Sequence, residues 1–231
     1  MNIIGIYDGH NASVAYFKNN KIEFAINEER IVKKKNQSGF PINSLEYLFK
    51  NYKITNKNLD YVAIAGTYRD DLNDLLYEWS YNFNIDEHKR LMQDFWHNKL
   101  NNKKYDKNYV KNNTKKYQKS FYLQYLNKSK KFKINDKDLI NNLIKDIFSQ
   151  KFGIYKKKIR FIDHHFCHLL HAYWSNRNLD LSKKYIGVTM DGFGDGLNQT
   201  VWQIYKNQFT KIASTNQNEI ARIYRMSPLY L

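Results

Sequence analysis

The chain opens on strand-like patterning. Residues 3–7 (IIGIY) form an apolar, β-branched run stopped by Asp8-Gly9, which predicts a first strand. Residues 13–17 and 22–26 predict two more, joined by the polar turn Lys18-Asn19-Asn20-Lys21. A basic loop over residues 30–40 follows and is closed by Gly39 and Pro41. Asn43 or Ser44 offers an N-cap to a helix carrying Leu45, Leu48 and Phe49 at helical spacing. Residues 61–65 predict a short buried strand ending at Gly66.

From about residue 70 to 133 the pattern turns polar, aromatic and rich in Lys and Asn, with helical stretches at 72–79 and 88–96. It carries no compact strand pattern and reads as an insertion on the surface of the core. A helix over 136–150 then places Leu139, Leu143, Ile144 and Ile147 on one face. A strand at 159–162, a helix at 164–174 and a strand at 185–190 complete the order.

The last part repeats the first. IGIYDG leads through a polar turn to a strand with Tyr16-Phe17, then Lys18-Asn19 and a third strand. IGVTMDG leads through a Gly-rich turn to a strand with Trp202 and Tyr205, then Lys206-Asn207 and a third strand. Two such meanders, each opening with an Asp-Gly loop, can face each other across a cleft. Backbone N–H groups in tight Gly turns cradle phosphate oxygens, and the Asp holds a cation or water. The nucleotide- and phosphate-binding candidates are Asp8, Gly9 and Asn11 in the first loop and Gly192 and Gly194 in the second. The fold class expected is α/β, with the duplicated βββαβα core of the actin-like and ribonuclease H-like folds. Residues 1–180 read as a complete first half with the helical insertion, and 181–231 as a second half only begun.

Composition changes this picture little. With 231 residues, 42% hydrophobic and 16% aromatic, the chain can bury a core. The net charge of +16 raises nucleic-acid binding. The lysines, however, are interleaved with Asn, Ile and Tyr throughout the segments without motifs, and such runs read as solvated faces. The one cysteine, Cys167, excludes an internal disulfide framework and fits a reducing compartment. No run of about 18 apolar residues and no signal-peptide pattern occurs, so a cytoplasmic protein without a membrane partner is expected.

The densest chemical signal is DHHFCHLLHA, where four of the seven histidines fall within eight residues. His164 and His168 stand at i and i+4, on one face of a helix, and His171 is three residues further on. Two imidazoles at that spacing suit a divalent metal (iron, zinc or magnesium) that also takes a carboxylate, and Asp191 at the end of the next strand is the nearest candidate. His10, in DGHNAS, can accept a substrate proton near neutral pH. Beyond the third strand, Arg30, Lys33, Lys34 and Lys35 can hold phosphate oxygens.

Four stretches in order, GIYDGHNASVAYF, NEERIVKKKNQSGFP, DHHFCHLLHAY and VTMDGFGDG, resemble the NodU/CmcH family of O-carbamoyltransferases. The resemblance covers roughly half the residues and leaves the Lys/Asn-rich segment without support. It implies that ATP and carbamoyl phosphate are substrates, joined into carbamoyl adenylate. The carbamoyl group then passes to a hydroxyl of a small molecule or natural product. By the same resemblance His164, His168 and Asp191 are metal ligands, His10 is the base for the acceptor hydroxyl, and Arg30, Lys34 and Lys35 lie near the substrate. His10 and the His164/His168 pair are then expected to converge on one cleft.

Where the sequence departs from the family pattern, a later metal-binding Asp, most of the second half and the adenylating domain are not found. The ending is expected to be a truncation, the isolated chain inactive, and a separately encoded C-terminal half its partner. Two other readings stand beside this one: a nucleotide- and metal-binding module without catalysis, and a tRNA-associated protein related to threonylcarbamoylation enzymes.

Overall fold

The computed structural model describes residues 1–35, 37–68, 93, 97–106, 121–133 and 136–217. The predicted helices at 72–79 and 88–96, Gln93 apart, and the ending at 220–231 lie outside the described residues. Two compact units are present, Met1–Ile64 with Arg69–Phe161, and Ala65–Tyr68 with Ile162–Leu231.

The first unit is built on a mixed five-stranded sheet. Strands β1 (Asn2–Tyr7), β2 (Ser13–Lys18) and β3 (Lys21–Asn27) form an antiparallel meander, and β4 (Tyr61–Ala65) pairs in parallel with β1. With β5 (Ile159–Ile162) the strand order is β3-β2-β1-β4-β5. Register explains the core. Ile4 lies opposite Tyr16 and Val62, and Ile6 opposite Val14 and Ile64, so these six side chains share one face. All six are buried, together with Leu45 and Leu48 of α2 (Ile42–Tyr52). Tyr122 and Leu126 of α3 (Phe121–Ser129) join them, as do Leu139, Leu143, Ile144, Ile147 and Phe148 of α4 (Leu139–Phe152). The predicted surface insertion therefore contributes to the core through its last helix.

Two local features depart from the sequence pattern. The segment predicted as a basic loop from residue 30 begins instead as a short helix, α1 (Glu28–Val32), ended by Lys33 in the left-handed region (φ 55°). Helix α2 is not capped by its own Asn43 or Ser44, since its N-cap residue is Pro41. Glu28, which is buried, supplies the cap from a distance. Its carboxylate accepts from Asn43 N–H at 3.0 Å, Asn43 Nδ2 at 2.7 Å, Ser44 N–H at 2.8 Å and Ser44 Oγ at 2.6 Å. One carboxylate thus satisfies the second and third N–H groups of the helix and complements its dipole.

The second unit centres on an antiparallel meander, β6 (Tyr185–Gly194), β7 (Leu197–Tyr205) and β8 (Gln208–Thr215). Helix α5 (His164–Ser175) packs against it, with Leu169 and Tyr173 buried beside Trp202 and Ile204. Gly187 makes this contact possible, because a Cβ there would lie 2.1 Å from Leu169 Cδ1. The β2–β3 and β7–β8 hairpins turn alike. Asn19-Asn20 and Lys206-Asn207 both have two consecutive left-handed residues, the geometry of a type I′ turn. The turn centre is therefore Asn19-Asn20, one residue later than the Lys18-Asn19 alignment of the sequence repeat.

Candidate functional site

Each Asp-Gly loop is shaped by its own surroundings. In the first, Asp8 is buried and accepts a hydrogen bond from the Tyr122 hydroxyl at 2.5 Å. Gly9 has a steric reason to be glycine, since a Cβ there would meet the Tyr7 ring at 2.3 Å. The Tyr7 hydroxyl in turn lies 3.2 Å from His10 Nδ1, and Asn11 is left-handed (φ 57°). The loop is stitched to the segment before Pro41. Ala12 N–H donates to the Gln37 carbonyl at 2.9 Å, Gly39 N–H to the Gly9 carbonyl at 3.4 Å, and Glu28 N–H to the Ala12 carbonyl at 2.8 Å. Arg30 is largely exposed and borders an open recess of about 390 Å³ with Ser13, Ala15, Ala25 and Asn27. Lys33, Lys34 and Lys35 are exposed as well.

In the second unit three of the predicted site residues come together. Helical spacing brings His168 Nε2 to 3.0 Å from His164 Nε2. The end of β6, where its register with β7 shifts between Met190 and Gly194, brings Asp191 Oδ2 to 2.7 Å from His164 Nε2 and 3.4 Å from His168 Nε2. The potential ligand atoms of the three all lie within 4.8 Å of one another. Bonds of about 2.0–2.1 Å to a tetrahedral zinc would set ligand atoms about 3.4 Å apart, so the donor set fits a divalent ion with little movement. Asp191 is held down to about 2, first by its hydrogen bond with His164, against the opposing effect of burial. His168 is lowered from its ordinary value, first by burial and then by neighbouring His164, which favours the uncharged imidazole that a metal requires. His171, on the same helix, is exposed. Gly194 also has a contact role: a Cβ there would lie 2.1 Å from His164 Cδ2. Gly192 has open space at the same test.

His165 has a different role from its neighbours. It is fully buried, with Nδ1 2.8 Å from Thr189 Oγ1 and Nε2 3.2 Å from the Leu197 carbonyl. A carbonyl can only accept, so Nε2 carries a hydrogen and Nδ1 accepts from Thr189. Thr189 then accepts from Thr200 at 2.6 Å, and Thr200 accepts from Trp202 Nε1 at 2.6 Å. Every member of this buried chain is satisfied, and its donors run in one direction. Cys167 beside it has its thiol pushed up to about 11, mainly by burial, and is not a poised nucleophile.

Sequence reasoning missed Asp195, whose carboxylate joins three chain segments. It also missed Tyr7 as the contact of His10. The glycine pair around Asp195 was the available signal, since Asp-Gly between strand residues marks a type I′ hairpin.

The family model described as carbamoyltransferase N-terminus matches residues 2–231, and the chain belongs to this family. An uncharacterized protein of Methanocaldococcus jannaschii is 45% identical over 67 residues, which are 29% of this chain and 13% of that protein. The match therefore spans a small part of that relative's length.

Proposed function

We propose that the chain supplies the transfer portion of a NodU/CmcH-type O-carbamoyltransferase with a duplicated, actin-like core. The observation that carries this reading is the convergence of His164, His168 and Asp191 in a chain of the carbamoyltransferase family. In this reading the three hold a divalent ion, which when bound supplies positive charge to an oxyanion. The acceptor hydroxyl oxygen attacks the carbonyl carbon of carbamoyl adenylate. A new C–O bond forms, the bond from that carbon to the phosphate oxygen breaks, and AMP leaves with the electron pair. His10 takes the hydroxyl proton at Nε2. That role requires Nδ1 to carry a hydrogen, which it can donate to the Tyr7 hydroxyl oxygen 3.2 Å away. The backbone N–H groups of the Asp-Gly loops receive phosphate oxygens, and Arg30, Lys34 and Lys35 contribute positive charge near the substrate.

The test is titration of the chain, in the presence of Zn²⁺ or Fe²⁺, with a non-hydrolysable carbamoyl adenylate analogue. Binding should need the metal and weaken at least tenfold in His164→Ala or Asp191→Ala. Supplied with ATP and the adenylating portion of such an enzyme, the chain should then support transfer from carbamoyl phosphate to small hydroxyl acceptors. His10→Ala should lower that transfer by about 10²–10⁴-fold while leaving metal uptake intact. Failure of the chain to bind either metal or the analogue would refute the proposal.

A further inference from the structure

Asp195 sits in a two-residue turn, Asp195-Gly196, which joins the paired residues Gly194 and Leu197. Both turn residues are left-handed, with φ of 52° and 76°. This backbone directs the Asp195 carboxylate at two other segments of the second unit. Oδ2 accepts from His164 N–H at 2.8 Å, from Thr67 N–H at 2.9 Å and from Thr67 Oγ1 at 2.8 Å. Oδ1 accepts from Thr67 N–H at 2.9 Å and Tyr68 N–H at 3.1 Å. Three backbone donors and a hydroxyl therefore share one carboxylate.

The start of α5 is thus served by two anions with separate tasks. Asp163, the N-cap residue, accepts from Phe166 N–H at 2.8 Å and is paired with Lys211 at 2.9 Å. Asp195 takes the His164 N–H that the N-cap leaves over. The same hairpin also holds the His164 ring, through Asp191 at 2.7 Å and through close approach of Gly194. Backbone and ring of His164 are therefore fixed by residues four positions apart in one hairpin.

We propose that Asp195 is a positioning residue that sets His164 in register with Asp191 and so makes the three-ligand site competent for a metal. This rests on the metal reading of the site above. Asp195 does not touch the ion; it acts by locking the histidine that does, the usual means by which outer groups tune a metal site. Helix α5 does not depend on it for attachment, because the His165 chain and the Leu169 contact with Gly187 hold the helix to the sheet.

The test uses the full chain and Co²⁺ alone, followed by calorimetry and by its visible absorption. Asp195→Ala should bind Co²⁺ about 10–100-fold more weakly than the wild type. Asp195→Asn, which keeps one accepting oxygen, should fall between them. In both variants the amides of Thr67, Tyr68 and His164 should lose hydrogen-exchange protection, while those of Leu169 and Tyr173 keep theirs. Wild-type Co²⁺ affinity in Asp195→Ala would overturn the inference and leave the metal site standing. A wild type that takes up no Co²⁺ would overturn the metal reading and this inference together.

Discussion

His164 and His165 are adjacent, yet one faces His168 and Asp191 and the other is consumed by the fold. The i, i+4 spacing of His164 and His168 is legible in the sequence because helix geometry alone puts them side by side. The role of His165 is not, because its partners Thr189 and Leu197 arrive 24 and 32 residues later. Substitution separates the two roles. His165→Ala leaves the Thr189 hydroxyl without its acceptor in a dry interior and opens a void, at a cost of about 3 kcal/mol in urea unfolding. His168→Ala, at a half-exposed position, should cost less than about 0.5 kcal/mol. Zinc affinity reverses the order: His168→Ala should lose it by at least tenfold, whereas folded His165→Ala should retain more.

At the level of elements, the strands and the main helices could be placed from periodicity, but the groups that terminate and fasten them could not. Asn43 and Ser44 carry the right chemistry for an N-cap, and here they donate to Glu28 instead of capping. A propensity rule sees only neighbours, and this acid comes from before a loop. Glu28→Ala should therefore cost about 3 kcal/mol, because it orphans the buried Ser44 N–H and hydroxyl. Denaturant unfolding followed by circular dichroism measures it, with Glu28→Gln falling between. Asp146 fastens α4 to α3 in a comparable way. It is buried and accepts from Tyr125 at 2.9 Å and Lys131 at 2.7 Å. Burial raises its pKa, but those two hydrogen bonds outweigh it and hold the carboxyl below its ordinary value. Its stabilisation is therefore complete above about pH 4, the unfolded carboxyl range, and is lost as pH falls through the lower folded value. Asp146→Ala should cost about 2 kcal/mol at pH 7, and the gap from wild type should narrow below pH 4 in the same assay.

For the whole molecule, the sequence order of strands and helices was enough to predict a mixed α/β chain and the family motifs at its two ends. What it could not give was the burial of Tyr122 and Leu126, because one helix among Lys- and Asn-rich stretches shows a short apolar pattern against a long polar background. The charge of +16 likewise says little about the candidate site, which is made of two histidines and an aspartate. Among the described residues no helix is long and apolar enough to cross a membrane. If the trio holds a metal, ligand linkage reaches global stability. Zinc at about 100 times its dissociation constant should stabilise the second unit by about 2.7 kcal/mol, seen as a rise in its melting temperature that a chelator reverses. Asp191→Ala should abolish that rise.

The stitching between the loop of His10 and the segment that ends at Pro41 has a mechanical consequence. Ala12 is gripped from both sides, by the carbonyl of Gln37 and the amide of Glu28, and Glu28 in turn anchors α2. The histidine loop, the basic stretch and the helix beyond them thus share one set of fasteners. Loosening the two hydrogen bonds at Ala12 should therefore unsettle the imidazole loop and α2 together, since both hang on the same few residues.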